Sequence, residues 1–131
     1  MICLDSTFII DFMRNEEAAV KKAASFGSHI LFTTQVNVFE LLFGELSEKE
    51  VMRKRLLSLQ SFLDRINILN LDRESAMKSA EIAANLSKKG RPIGHLDSII
   101  AGIALTNGVN AILTRNVKDF SKIKELNVIA Y

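Results

Sequence analysis

Two short apolar runs constrain this chain more than anything else in it. Ile2-Cys3-Leu4 begins almost at the first residue and stops on Asp5. Ala111-Ile112-Leu113-Thr114 lies near the far end and leads into Arg115-Asn116-Val117-Lys118-Asp119. A run this short, with no polar alternation, reads as a strand buried on both faces, the mark of a parallel sheet. Open α/β sheets take their ligands beyond the carboxyl ends of their strands. Two buried strands that both end in polar, acidic turns therefore suggest one shared site at the top of such a sheet.

The chain between these runs is mostly helical in pattern. Ser6-Thr7 can cap a short helix over 8–13. A second helix over 16–26 carries Ala19, Val20, Ala23 and Ala24 on its apolar face and ends at Gly27. Residues 30–32 form the next apolar run, a strand. Thr33-Thr34 caps a helix over 35–46 with Val36, Phe39, Leu42, Phe43 and Leu46 as its stripe. A long amphipathic helix follows over 48–63, with Val51, Leu56, Leu59 and Leu63 on one side. A third strand falls at 66–71. Asp72 caps a helix over 73–89, whose small face is Ala76, Ala80, Ala83 and Ala84. After the loop Gly90-Arg91-Pro92-Ile93-Gly94, a helix from His95 or Leu96 through Thr106 is apolar nearly all round, and hence buried. A short helix over 117–123 and an edge strand over 128–130 close the chain. The order β-α-α-β-α-α-β-α-α-β-α-β implies right-handed crossovers. The fold class is α/β: a three-layer α/β/α sandwich around a mostly parallel sheet of about five strands.

A chain of 131 residues, 48% of them hydrophobic, is enough for one domain with a real core, spanning 1–131. One Pro and six Gly argue against linkers or disorder. A net charge of +2 is too small to name nucleic acid as a partner. Cys3 is the only cysteine, so no intrachain disulfide forms, and a core thiol suits a reducing compartment. The N-terminus has no basic region, and Asp5 and Asp11 interrupt its apolar stretch, so it does not read as a signal peptide. No apolar run approaches a bilayer span. A cytoplasmic location is expected.

Four carboxylates carry the chemistry. Read singly, each has an ordinary structural role: Asp5 as a cap, Glu40 as a helix-edge residue, Asp97 and Asp119 as first-turn acids favoured by the helix dipole. Together they all fall at strand ends or near the start of helices. Such a group cannot stay ionised without a counter-charge. An all-oxygen set selects a hard cation, Mg²⁺ or Mn²⁺, over zinc. His29 and His95 lack zinc-type spacing, and His95 is a possible substrate contact. Replacing Asp5 by Asn is expected to abolish activity and to relieve repulsion within the group.

Four blocks carry a likeness to a known family. They are Leu4-Asp5-Ser6-Thr7-Phe8-Ile9-Ile10-Asp11, Val38-Phe39-Glu40-Leu41-Leu42-Phe43-Gly44, Ile93-Gly94-His95-Leu96-Asp97-Ser98-Ile99-Ile100-Ala101 and Leu113-Thr114-Arg115-Asn116-Val117-Lys118-Asp119-Phe120. In this order and spacing the chain resembles the PIN-domain nucleases, and within them the VapC-type toxins of toxin–antitoxin pairs. The opening reads Asp-Ser-Thr where Asp-Thr-Ser or Asp-Thr-Asn is commoner in the family, a swap that keeps a hydroxyl. The resemblance implies a Mg²⁺-dependent endoribonuclease with catalytic acids at Asp5, Glu40, Asp97 and Asp119. Asp5 and Asp97 would bind metal most directly, and Thr7, Thr114 and Asn116 would orient the acids from behind. Some relatives place the fourth acid where Asn116 stands and others where Asp119 stands. RNA, with transfer or ribosomal RNA as the family's usual targets, would meet cations drawn from Arg14, Lys88, Lys89, Arg91, Arg115, Lys118 and Lys122. A cognate antitoxin and a homodimer are the implied partners. Two other readings stay open: a receiver domain of the response-regulator type, which would leave Glu40 and Asp97 unexplained, and a catalytically inactive PIN-fold binding module.

Overall fold

Successive side chains of a strand leave on opposite faces of its sheet, and in the first strand both sides are apolar. The computed structural model describes residues 1–131. In it β1 (Ile2–Leu4) sends Cys3 into a core with Ile100, Ala104 and Ile112, and Ile2 and Leu4 into another with Phe8, Leu59 and Leu113. Two cores on two faces make β1 the middle of a three-layer sandwich. Its neighbours are β2 (Leu31–Thr34) and β4 (Ala111–Leu113); β3 (Asn67–Leu69) and β5 (Asn127–Ile129) are the edges. The order is β3-β2-β1-β4-β5, and every pairing is parallel. The expected α/β/α sandwich is therefore the fold.

The helices are α1 (Ser6–Met13), α2 (Glu17–Ala24), α3 (Gln35–Leu46), α4 (Arg53–Leu63), α5 (Arg73–Lys88), α6 (His95–Thr106) and α7 (Val117–Phe120). No helix is long and apolar enough to cross a membrane. The chain runs from β1 outward to β2 and β3, then crosses back over β1 to β4 and β5. That reversal is a topological switch point, and it leaves a crevice above the carboxyl ends of β1 and β4. Cys3 pairs with Phe32, and Leu4 with Leu113. Carried on, this register sets Asp5 between Thr34 and Thr114.

Several expectations shift. The first helix starts at Ser6, because Asp5 itself is the N-cap, and its carboxylate makes no cap hydrogen bond. In α2 only Ala19 is buried, while Val20 is exposed. The fourth helix begins at Arg53, so Val51 lies outside it in a connection that lets α3 and α4 fold back on each other. The stripe assigned to α3 is wrong in part: Phe39 and Phe43 are 58% and 62% exposed, stacked on each other at 5.8 Å, and Leu46 is exposed too. Asn37 and Leu41 are the buried residues instead, because a polar side chain heads the inward face.

The same happens in α5. Its buried face is Ser75, Ser79, Ile82 and Leu86, and Ala76, Ala80 and Ala84 are exposed. Two serines can be buried because Ser79 Oγ donates to the Ser75 carbonyl at 2.6 Å and Ser75 Oγ to Asp72 Oδ1 at 2.9 Å. Opposite them stands Gly102 of α6. A Cβ there would lie 2.0 Å from Ser79 Oγ, 2.7 Å from Ser79 N and 2.9 Å from the Ser75 carbonyl. The backbone atoms cannot move aside without parting the two helices. Gly102→Ala is expected to cost about 2–3 kcal/mol as overpacking, read as a fall in the urea midpoint. An unchanged midpoint would show that the α5–α6 contact is looser than this.

Candidate active site

Asp5 is placed by the end of β1, where its backbone N–H donates to the Leu113 carbonyl at 3.0 Å. It is 3% exposed and in no ion pair. Three neutral donors hold it. Thr114 Oγ1 donates to Oδ2 at 2.7 Å, Thr7 Oγ1 to Oδ2 at 2.8 Å and Asn37 Nδ2 to Oδ1 at 3.0 Å. These come from the end of β4, the first turn of α1 and the first turn of α3. Asn37 is itself fixed by a capping box: Asn37 N–H donates to Thr34 Oγ1 at 3.2 Å, and Thr34 N–H to Asn37 Oδ1 at 3.3 Å.

Glu40 lies one turn after Asn37 and is half-buried. Its Oε1 accepts from Ser6 Oγ at 3.0 Å and from Asn37 Nδ2 at 3.4 Å. Burial holds its carboxyl above the ordinary range; the Ser6 hydrogen bond works against this, and the charges of Asp5 and Asp97 add to it. Asp97 sits in the first turn of α6, and Asn116 Nδ2 donates to its Oδ2 at 2.9 Å. Its carboxyl is pushed up to about 6, first by burial and then by the charges of Asp5 and Asp119. Asp119, in α7, behaves oppositely. Lys122 Nζ meets its Oδ1 at 3.1 Å and holds its carboxyl below the usual range. Asn116 Nδ2 also reaches Asp119 Oδ2, at 3.4 Å, and so bridges the two acids.

The structure thus brings Asp5, Glu40 and Asp97 to one end of the sheet, each within electrostatic reach of the others, with Thr7, Thr114 and Asn116 bonded to them. As placed, no three acidic, histidine or cysteine side chains stand close enough together to enclose one ion. Their chemistry nonetheless fits a hard divalent cation: oxygen donors only, and two carboxyls raised by burial and then by their like-charged neighbours. Among the basic candidates, Arg14, Arg91 and Lys118 are exposed and in no ion pair. Arg14 lines a cavity of about 320 Å³ beside Glu40, together with Glu45, Lys54 and Arg55. Arg115 is not free, because it pairs with Asp11 at 2.7 Å.

From sequence Ser6 had only a capping role and Asn37 none; neither was expected to touch the acids. Asn37 had a signal, since it stands three residues after the capping Thr34 and three before Glu40.

The model of the family described as PIN domain matches residues 2–126. The chain is 31% identical over 121 residues to the tRNA(fMet)-specific endonuclease VapC of Shigella flexneri, covering 92% of this chain and 89% of that protein. It is 30% identical over 132 residues to Ribonuclease VapC1 of Haemophilus influenzae strain R2866, covering 94% and 92%. Among solved structures it is similar to VapBC-1 of nontypeable Haemophilus influenzae, with TM-score 0.82, 27% identity and coverage of 99% and 98%. It shares the fold of the DNA-bound VapBC of Salmonella typhimurium, with TM-score 0.86, 23% identity and coverage of 98% and 96%.

The raised carboxyls fix a sign. A carboxyl whose pKa is higher in the folded chain than in the unfolded one adds stability below its unfolded pKa. It withdraws that stability as pH rises through its folded value. For Asp97 the window runs from about pH 4 to about 6. Asp97→Asn, which can still accept from Asn116, is expected to melt higher than the wild type at pH 7.5 in EDTA. The gain should shrink toward pH 4. A melting series that shows no gain at pH 7.5, or a gain that grows toward acid, would contradict this.

Proposed function

The chain belongs to the PIN-domain family and to its VapC-type ribonucleases, and on that premise we propose that it is a Mg²⁺-dependent endoribonuclease, the toxin of a toxin–antitoxin pair. The observation that carries the proposal is that Asp5, Glu40 and Asp97 all stand at one end of the sheet, at its switch point. Three separate elements deliver them; Asn37 bridges Asp5 and Glu40, and Asn116, whose N–H donates to Thr114, holds Asp97.

Asp5 and Asp97 would hold the ion most directly, and Glu40 and Asp119 would complete its surroundings. A bound divalent ion lowers the pKa of water and offsets the charge that builds on a phosphoryl group and its leaving oxygen. The chain's own residues do the rest. Thr7, Thr114 and Asn37 saturate the far side of the Asp5 carboxylate and fix its direction. Asn116 orients Asp97. Asp119, neutralised by Lys122, acts chiefly on Asn116, so the fourth position is shared between Asn116 and Asp119. Lys122 also reaches the Pro92 carbonyl at 3.3 Å and steadies the loop that delivers Asp97.

The substrate is RNA, whose phosphates need cations around so negative a pocket. Arg14, Arg91 and Lys118 are exposed to supply them. Transfer RNA is the first class to try, since relatives carry that specificity in their names. Solved relatives are VapBC toxin–antitoxin assemblies, and a cognate antitoxin is the partner proposed here.

A cleavage assay on transfer RNA tests this. Wild type should cut in Mg²⁺ and stop in EDTA, and Asp5→Asn should lose at least about a hundredfold in rate while remaining folded. Equal cutting by Asp5→Asn, or cutting unaffected by EDTA, would refute the assignment. A wild type that cuts no RNA yet binds its antitoxin would instead be an inactive binding module.

A further inference from the structure

We propose that Asp11 and Tyr131 are positioning residues for the active site: together they grip Arg115 and so hold the turn 114–116 against α1. Thr7 and Asp11 are four residues apart, on one face of that helix. The turn is fastened along this face at two points: the Arg115 backbone N–H donates to Thr7 Oγ1 at 3.0 Å, and Arg115 Nη2 donates to Asp11 Oδ1 at 2.7 Å. Beside them the Thr7 and Thr114 hydroxyls lie 3.3 Å apart, and both donate to Asp5 Oδ2. Tyr131 OH donates to the other oxygen, Asp11 Oδ2, at 2.8 Å. Both carboxylate oxygens are thus occupied.

Asp11 is only 9% exposed. A charge-assisted hydrogen bond to so covered a carboxylate is of the stronger kind. Tyr131 is fixed in turn by its ring, which meets Phe8 edge-on at 5.1 Å and 85°. Asp11 and Tyr131 make no hydrogen bond to Asp5, Glu40, Asp97 or Asp119, so they act only through what they hold. What they hold is the residue between two working side chains. Thr114 supplies the 2.7 Å hydrogen bond to Asp5, and Asn116 the 2.9 Å hydrogen bond to Asp97. A slip of Arg115 would draw both away. Arg115, named from the sequence among the cations that would meet RNA, is thereby also an anchor for the turn.

The kinetic consequence rests on the ribonuclease reading; the grip itself does not, and the test separates them. Amide hydrogen exchange is measured at Arg115 and at Asn116, whose N–H donates to Thr114 Oγ1 at 2.9 Å. The chains compared are wild type, Asp11→Ala, Asp11→Asn and Tyr131→Phe. Kinetics on the cleaved RNA accompany the exchange. Tyr131→Phe keeps the ring against Phe8, so it remains informative if Asp11→Ala fails to fold. Exchange at the two amides should speed about tenfold in Asp11→Ala and measurably in Tyr131→Phe. Exchange at Cys3 and Leu4 should stay as in wild type. The kcat should fall about tenfold with KM within about twofold, and Asp11→Asn, whose amide oxygen still accepts, should recover part of it. Unchanged exchange at both amides overturns the proposal, and so does faster exchange with unchanged kcat. If wild type cuts no RNA, the nuclease reading fails, and the exchange data still decide the grip.

Discussion

A buried carboxylate with no cation beside it is the constraint on which the rest depends. Asp5 must lie at the end of the central strand, and charge there is costly unless it is hydrogen-bonded. The chain meets it with Thr7, Asn37 and Thr114, drawn from α1, α3 and the end of β4. Each donor fixes the element that carries it. The capping box of α3 turns Asn37 inward, and that one rotation decides which face of α3 is buried and which leaves Phe39 and Phe43 in solvent. The site is therefore built into the fold at the level of helix orientation.

Around Asp5 the other acids divide their burden. Asp97 has one neutral donor and two acidic neighbours, and its carboxyl is held high. Glu40 is held high as well, tempered by Ser6. Asp119 has a lysine of its own and is held low. The unbalanced charge accordingly falls on Asp5, Glu40 and Asp97, the three nearest the switch point. A divalent cation is the counter-charge proposed for this arrangement. Asp119 differs in kind: it is already paired with Lys122 and shares Asn116 with Asp97.

Much of this was legible in the order of residues. The short, uniform apolar runs at β1 and β4 read as buried parallel strands, and acids that follow such strands point at a crevice. The faces of α3 and α5 were not legible. Their buried positions include Asn37, Ser75 and Ser79, polar residues that hydrophobic periodicity places in solvent. Only their partners, Asp5, Asp72 and the Ser75 carbonyl, make burial affordable, and periodicity does not see partners. The role of Arg115 was hidden for a similar reason. It depends on Asp11, 104 positions away, which in turn depends on Tyr131, 120 positions from it.

The most direct measurement of the central claim is a crystal of the chain soaked in Mn²⁺ and read by anomalous scattering. A single strong peak among the carboxylates of Asp5, Glu40 and Asp97, with those side chains turned in to meet it, is the result this account predicts. Saturating Mn²⁺ with no peak there, and the three carboxylates still apart, would contradict it.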